Sequence, residues 1–167
     1  VKDYTYERGV ILDKDTSERL IFQYNPEEIT ETNRAVWSNL TIHGIHHPRL
    51  QYTSGEGRVI SFTLRLFGAD EVNSAQTRDV KGKVDFLRSL LYPDVTSQSL
   101  PSRAPNLTVL SFGRLYRGIQ GVLTHVNPTY HNMFTADLNP LYADVDIELV
   151  EFHVKAVDYR EVRAGIR

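Results

Sequence analysis

The side chains best suited to chemistry fall in two places. His43, His46 and His47 lie within five residues, beside Gly44 and Pro48. Imidazole nitrogens suit zinc, which needs three or four ligands in a workable geometry. The other histidines, His125, His131 and His153, are distant in the chain, so a polar loop or an interface patch is the plainer reading of the cluster. Asp144, Asp146 and Glu148 alternate along one run, and on a strand all three project from the same face. One desolvated carboxyl in such a group could serve acid/base catalysis, or the group could bind a hard cation. No neighbouring feature supplies a nucleophile, and a solvated acidic strand face explains the same spacing. We assign no metal ligand, cofactor or catalytic residue, and expect a protein that is not an enzyme.

Other chemical patterns are missing or incomplete. The G-x-S-x-G turn of serine hydrolases is absent. Ser54-Gly55-Glu56-Gly57 is glycine-rich but lacks the Lys-Ser/Thr ending of a phosphate loop. The absence of cysteine excludes disulfides and thiolate metal sites.

The elements that position these residues are mostly strands. Ile60, Phe62, Leu64 and Leu66 alternate with Ser61, Thr63 and Arg65, a pattern that buries one strand face and leaves the other wet. Val145, Ile147 and Leu149 alternate with the acidic trio in the same way. Residues 8–24 read as two strands around the Asp13-Lys14-Asp15 turn, stopped by Asn25-Pro26. Leu107–Phe112 and Tyr116–Val126 are further strands, and 127–142 reads as a turn or a second short arm. Residues 26–57 are polar and punctuated by glycine, and read as an extended hairpin or long arm holding Trp37 and Tyr52.

One helix interrupts the strands at about 75–92. Val80, Val84, Leu87 and Leu91 recur at helical spacing, Asn73 or Ser74 can cap it, and Pro93 closes it. The expected fold is mainly β: two packed antiparallel sheets, a small sandwich or barrel, with this helix inserted. We expect one domain over 1–167, with a core at about 8–153, an arm at about 26–57 and a charged tail at about 154–167.

Composition narrows the function classes. The 41% hydrophobic and 24% charged content is globular, and 167 residues suffice for one core. A net charge of −2 lacks the basic excess of a dedicated nucleic-acid binder, and no basic strand face carries interleaved aromatics. No apolar run approaches the roughly 20 residues that span a bilayer, so we expect no membrane insertion. Val1-Lys2-Asp3-Tyr4 matches neither a signal peptide nor a lipidation motif.

The order of the pieces then points to a family. Phe22-Gln23-Tyr24-Asn25-Pro26-Glu27-Glu28-Ile29 resembles the F-x-Y/F-N-P opening of the contractile injection system tube protein family. Tyr52, Gly55 to Leu66 around Ser61-Phe62-Thr63-Leu64, and a helix ending Leu90-Leu91-Tyr92-Pro93 follow in matching order. So do Pro105-Asn106-Leu107 through Phe112-Gly113, then Gly121-Val122 and Tyr130, giving a likeness over roughly residues 18–152.

The resemblance implies a tail-tube fold and a ring of six copies around a channel near the baseplate, between the spike hub and the repeating tube. It implies partners: copies of itself, neighbouring tube and hub or spike proteins, and sheath or wedge proteins, with DNA only as passing cargo. It implies a place in a virion tail or baseplate, assembled in the host cytoplasm. Many members carry a peptidoglycan-binding LysM module; this sequence stops at Arg167, so direct cell-wall binding is not expected of it. Trp37, His47, Pro48 and Tyr52 are the expected subunit-interface residues. Arg65, Asp144, Asp146 and Glu148 are the expected channel or partner face, where negative charge would repel DNA phosphates. The alternatives are an ordinary tube or tube-terminator subunit, a carbohydrate- or nucleic-acid-binding β-barrel module, and a metal-dependent hydrolase.

Overall fold

In the computed structural model the described residues are 7–41, 43–44, 46–68, 79–93, 104–153 and 159–164. In chain order the elements are β1 (Val10–Asp13), β2 (Arg19–Ile21), β3 (Ile29–Thr32), β4 (Ala35–Leu40), β5 (Arg49–Gly55), β6 (Val59–Phe67), α1 (Val80–Ser89), β7 (Thr108–Phe112), β8 (Tyr116–Tyr130), β9 (Tyr142–Glu151) and α2 (Tyr159–Ala164). Seven strands form one antiparallel sheet in the order β2-β1-β7-β8-β9-β6-β3, and β4 and β5 form a second, two-stranded sheet.

The alternation read from the sequence sets the centre of the large sheet. β6 turns Ile60, Phe62, Leu64 and Leu66 inward. Its neighbour β9 runs from Val59↔Val150 to Phe67↔Tyr142 and buries Ala143, Val145, Ile147 and Leu149 on the same side. Helix α1 adds Val80, Val84 and Leu87, with Leu90 at its end, to this core. Residues 75–78 and the cap positions Asn73 and Ser74 lie outside the described residues. So do 94–103 of the expected loop, and 154–158 and 165–167 of the expected tail, in which α2 occurs.

The large sheet curls but does not close into a barrel. Just past β2, the Phe22 ring meets Phe62 of β6 at 5.7 Å. The Gln23 side chain donates to the Phe67 carbonyl at 2.7 Å and accepts from the Phe67 N–H at 2.9 Å. A side-chain amide thus occupies the place of a neighbouring strand's peptide, satisfying backbone groups that would be costly to leave unpaired near the core. Mainly β structure, two antiparallel sheets and an inserted helix agree with expectation. The second sheet, however, is the hairpin itself.

Two strands differ from the sequence reading. β8 continues to Tyr130 through Pro128, where a turn or short arm was expected. β7 pairs with β8 only from Thr108↔Gly121 to Phe112↔Tyr116, so Pro128 needs no ladder donor on that side. Residues 29–32, read as part of the arm, form β3 at the sheet edge beside β6. Gly121 allows β8 and β9 to approach closely: an added Cβ would lie 2.5 Å from the Leu149 side chain and 2.6 Å from the Val150 carbonyl.

Candidate functional site

Three features compete as the working surface. The first is the wet face of β6 and β9. Because the strands are neighbours, Arg65 sits opposite Asp144, Thr63 opposite Asp146 and Ser61 opposite Glu148. The residues expected on a channel or partner face, Arg65, Asp144, Asp146 and Glu148, therefore share one continuous surface. They are tied together. The Thr63 hydroxyl donates to Asp146 at 2.7 Å, and the Thr124 hydroxyl donates to Glu148 at 3.1 Å. Asp144 accepts from Tyr142 at 2.9 Å and lies 2.9 Å from His131 Nε2. Arg65 bonds Glu27 at 2.6 Å and lies 3.8 Å from Asp144. The negative charge of Glu27 and its hydrogen bond raise the Arg65 pKa further. Partial burial, then the bond to Asp144, raises that of the Tyr142 hydroxyl.

This arrangement orders side chains but lacks the parts of a catalyst. An Asp–His pair can orient an imidazole as a general base. Among the described residues, however, no serine or threonine hydroxyl bonds His131 as a nucleophile would. Nor, among them, do three or more His, Asp or Glu side chains group as metal ligands.

The second feature is the arm. β4 and β5 pair from Ala35↔Gly55 to Leu40↔Arg49, with an irregularity between Val36 and Trp37. Every residue of both strands is exposed. Trp37 and Tyr52 are direct cross-strand partners, their rings edge-to-face at 5.4 Å. Strand alternation puts Leu50 on the same face, and all three are more than half exposed. His47 and Pro48 stand apart from this pair, at the tip, where the His46 and His47 rings lie 5.0 Å apart. The structure thus joins two of the four expected interface residues directly and places the other two at the far end of the same arm.

The third feature is a cleft of about 800 Å³ at the opposite end of β6. Tyr24, Glu27, Glu28, Arg65, Met133 and Asp144 are among its lining residues. Sequence reasoning missed Glu27 and Glu28 as parts of this cleft, and His131 as a partner of Asp144. Glu27 and Glu28 follow directly on the Asn25-Pro26 stop, and no local pattern reveals that this stop returns beside β6.

A buried ionic cluster, also missed, fixes the root of the arm. Arg58, between β5 and β6, bonds Glu151 through Nε and Nη2 at 2.9 and 3.1 Å. Its Nη1 reaches Glu31 at 3.4 Å, and the guanidinium carbon lies 5.7 Å from the centre of the Tyr116 ring. The Tyr116 hydroxyl donates to Glu31. Burial, then this bond and the charge of Glu31, hold that hydroxyl protonated well above the usual tyrosine range. His153 Nε2 lies 3.1 Å from Glu151. These partners come from four separate stretches of chain, so the cluster reads as a structural lock that carries the arm.

No curated protein matches the chain. The family model described as contractile injection system tube protein matches residues 5–159, most of the 167-residue chain, and the chain belongs to that family.

Proposed function

We propose that this chain is a structural ring subunit of a contractile tail or related injection apparatus, acting at the junction between baseplate hub and tube, where it initiates the tube. Family membership supports a structural tail-tube role, self-assembly and tail partners in general. The observation that carries the ring reading is the arm. Thirteen residues in two strands are exposed throughout, yet Trp37, Tyr52 and Leu50 gather on one face. A lone two-stranded hairpin is marginal in water, and covering such a face gains about 25 cal/mol for each Å² of apolar surface removed from water. A neighbouring subunit in a ring of six supplies that cover. The Arg58 lock supports the same reading, because it fixes the direction in which the arm leaves the body.

The wet face of β6 and β9 suits a channel wall. Asp146 and Glu148 give it negative charge, which disfavours sticking of passing phosphate-bearing cargo. Arg65 and Asp144 sit at its end, in the cleft. No cofactor enters this function.

The test is imaging of purified protein, alone and with neighbouring tail proteins as templates, beside a variant in which residues 35–55 are replaced by a short Gly/Ser turn. Annular particles from the intact chain, lost in the shortened but still folded variant, are expected. A chain that stays monomeric with every template, or assembles equally well without the arm, overturns the proposal.

A further inference from the structure

The geometry points to a specific acceptor for the arm: its tip seats in the acidic cleft of a second copy of this chain. The inference rests on the ring reading and adds to it the residues and the polarity of the contact. Its first basis is charge. From Thr32 to Gly55 the chain has no Asp or Glu; Arg34 stands at the root of the arm, and Arg49 near the tip beside His43, His46 and His47. The cleft offers Glu27, Glu28 and Asp144 against the single cation Arg65 among its lining residues. The Glu27 side chain is 76% exposed although bonded to Arg65. Among the described residues Glu28 makes no hydrogen bond or ion pair, so it is available to a partner's cation.

The second basis is placement. β3 runs towards Thr32, which pairs with Val59 at the start of β6. The arm prolongs this pair: Ala35 follows three residues after Thr32, and the Glu56 N–H bonds the Arg34 carbonyl at 2.9 Å. The cleft lies at the other end of β6, where Arg65 and Phe67 line it. At about 3.3 Å per residue the two ends of β6 are roughly 26 Å apart. The arm leaves one end of the body while its matching surface lies at the other. A contact between different surfaces of identical subunits is heterologous, and it closes into a ring or propagates as a stack. Tyr24 and Met133 give the cleft apolar walls for Pro48 and the imidazoles, while Glu27 and Glu28 face Arg49.

The chain has no cysteine, which makes disulfide trapping a clean test. Full-length Glu28→Cys and Arg49→Cys proteins are mixed under mild oxidation. We expect mixed dimers in roughly tenfold excess over either homodimer, corresponding to a preference near 1.4 kcal/mol, and loss of that excess at high salt. A second pair avoids relying on cross-linking: Glu28→Arg and Arg49→Glu each impair assembly alone and recover it when combined in one chain. If annular particles form but neither the mixed disulfide nor the charge-swap rescue occurs, the inference falls and the ring reading stands. If no assembly forms under any template, both fall.

Discussion

The two sheets of this protein meet water in opposite ways. In the seven-stranded sheet, β6 and β9 hide every second side chain, and the core they build includes Leu64, Leu149 and Val145 at 1% exposure or less. In the two-stranded sheet nothing is hidden: Trp37, Tyr52 and Leu50 remain more than half exposed. Both sheets use the same backbone hydrogen bonding and the same cross-strand pairing. They differ in whether a covering layer comes from within the chain. The body carries its own cover, in the curl of the sheet and in α1. The arm does not: among the described residues its apolar face stays open to water.

Three substitutions can break or sharpen this contrast, and the largest effect belongs to the body. Leu64→Ala removes a buried side chain from the middle of β6 and should lower unfolding free energy by about 2–5 kcal/mol, measured by urea denaturation. A loss under about 1 kcal/mol would mean that this core is far looser than its burial implies.

An intermediate effect is expected at Asp13, which ends β1. Its carboxylate accepts from Asn106 at 3.0 Å and from the Asp15 N–H at 2.9 Å. Burial alone would raise its pKa, but these hydrogen bonds, together with those of Thr16, outweigh burial and hold it below the usual aspartate value. A depressed folded-state pKa adds stability above the unfolded value, and that stability disappears as pH falls through the folded value. Asp13→Asn should cost about 1 kcal/mol at neutral pH and flatten the acid-side decline below pH 4. An unchanged profile of stability against pH would remove Asp13 from this account.

The smallest effect on folding is expected at Trp37. Trp37→Ala should change the unfolding of the isolated chain by no more than about 0.5 kcal/mol, as exposed substitutions generally do, while impairing assembly. A drop of about 2 kcal/mol or more in the isolated chain would show that the arm shares in the body's stability, and the contrast between the sheets would collapse.

Legibility in the sequence followed the range of the interactions. β6, β9 and α1 were readable because periods of 2 and 3.6 residues are local properties of the chain. The arm was readable from its polarity and its misplaced aromatics; alternation put Arg65 and Asp144 on the wet faces of their strands, and the pairing of β6 with β9 joined those faces. Pro128 misled because its tolerance depends on how far β7 extends, which the residues around it do not state. β3 was hidden because an edge strand with one apolar residue, Ile29, scarcely differs in pattern from a loop. His131 joined Asp144 across the β8–β9 connection without any motif to announce it.

Sequence alone determined which faces of the main strands avoid water, where the helix lies, that no thiol chemistry is available, and the family resemblance, since each depends on residue type and short spacing. Tertiary structure decided that Gln23 completes the edge of β6, that Arg58, Glu31, Glu151 and Tyr116 lock the root of the arm, and that the basic tip and the acidic cleft stand at opposite ends of β6. Those outcomes depend on which distant segments the curl of the sheet brings within bonding distance. Hydrogen bonds and ion pairs act over a few ångströms in space, and a linear pattern does not encode that proximity.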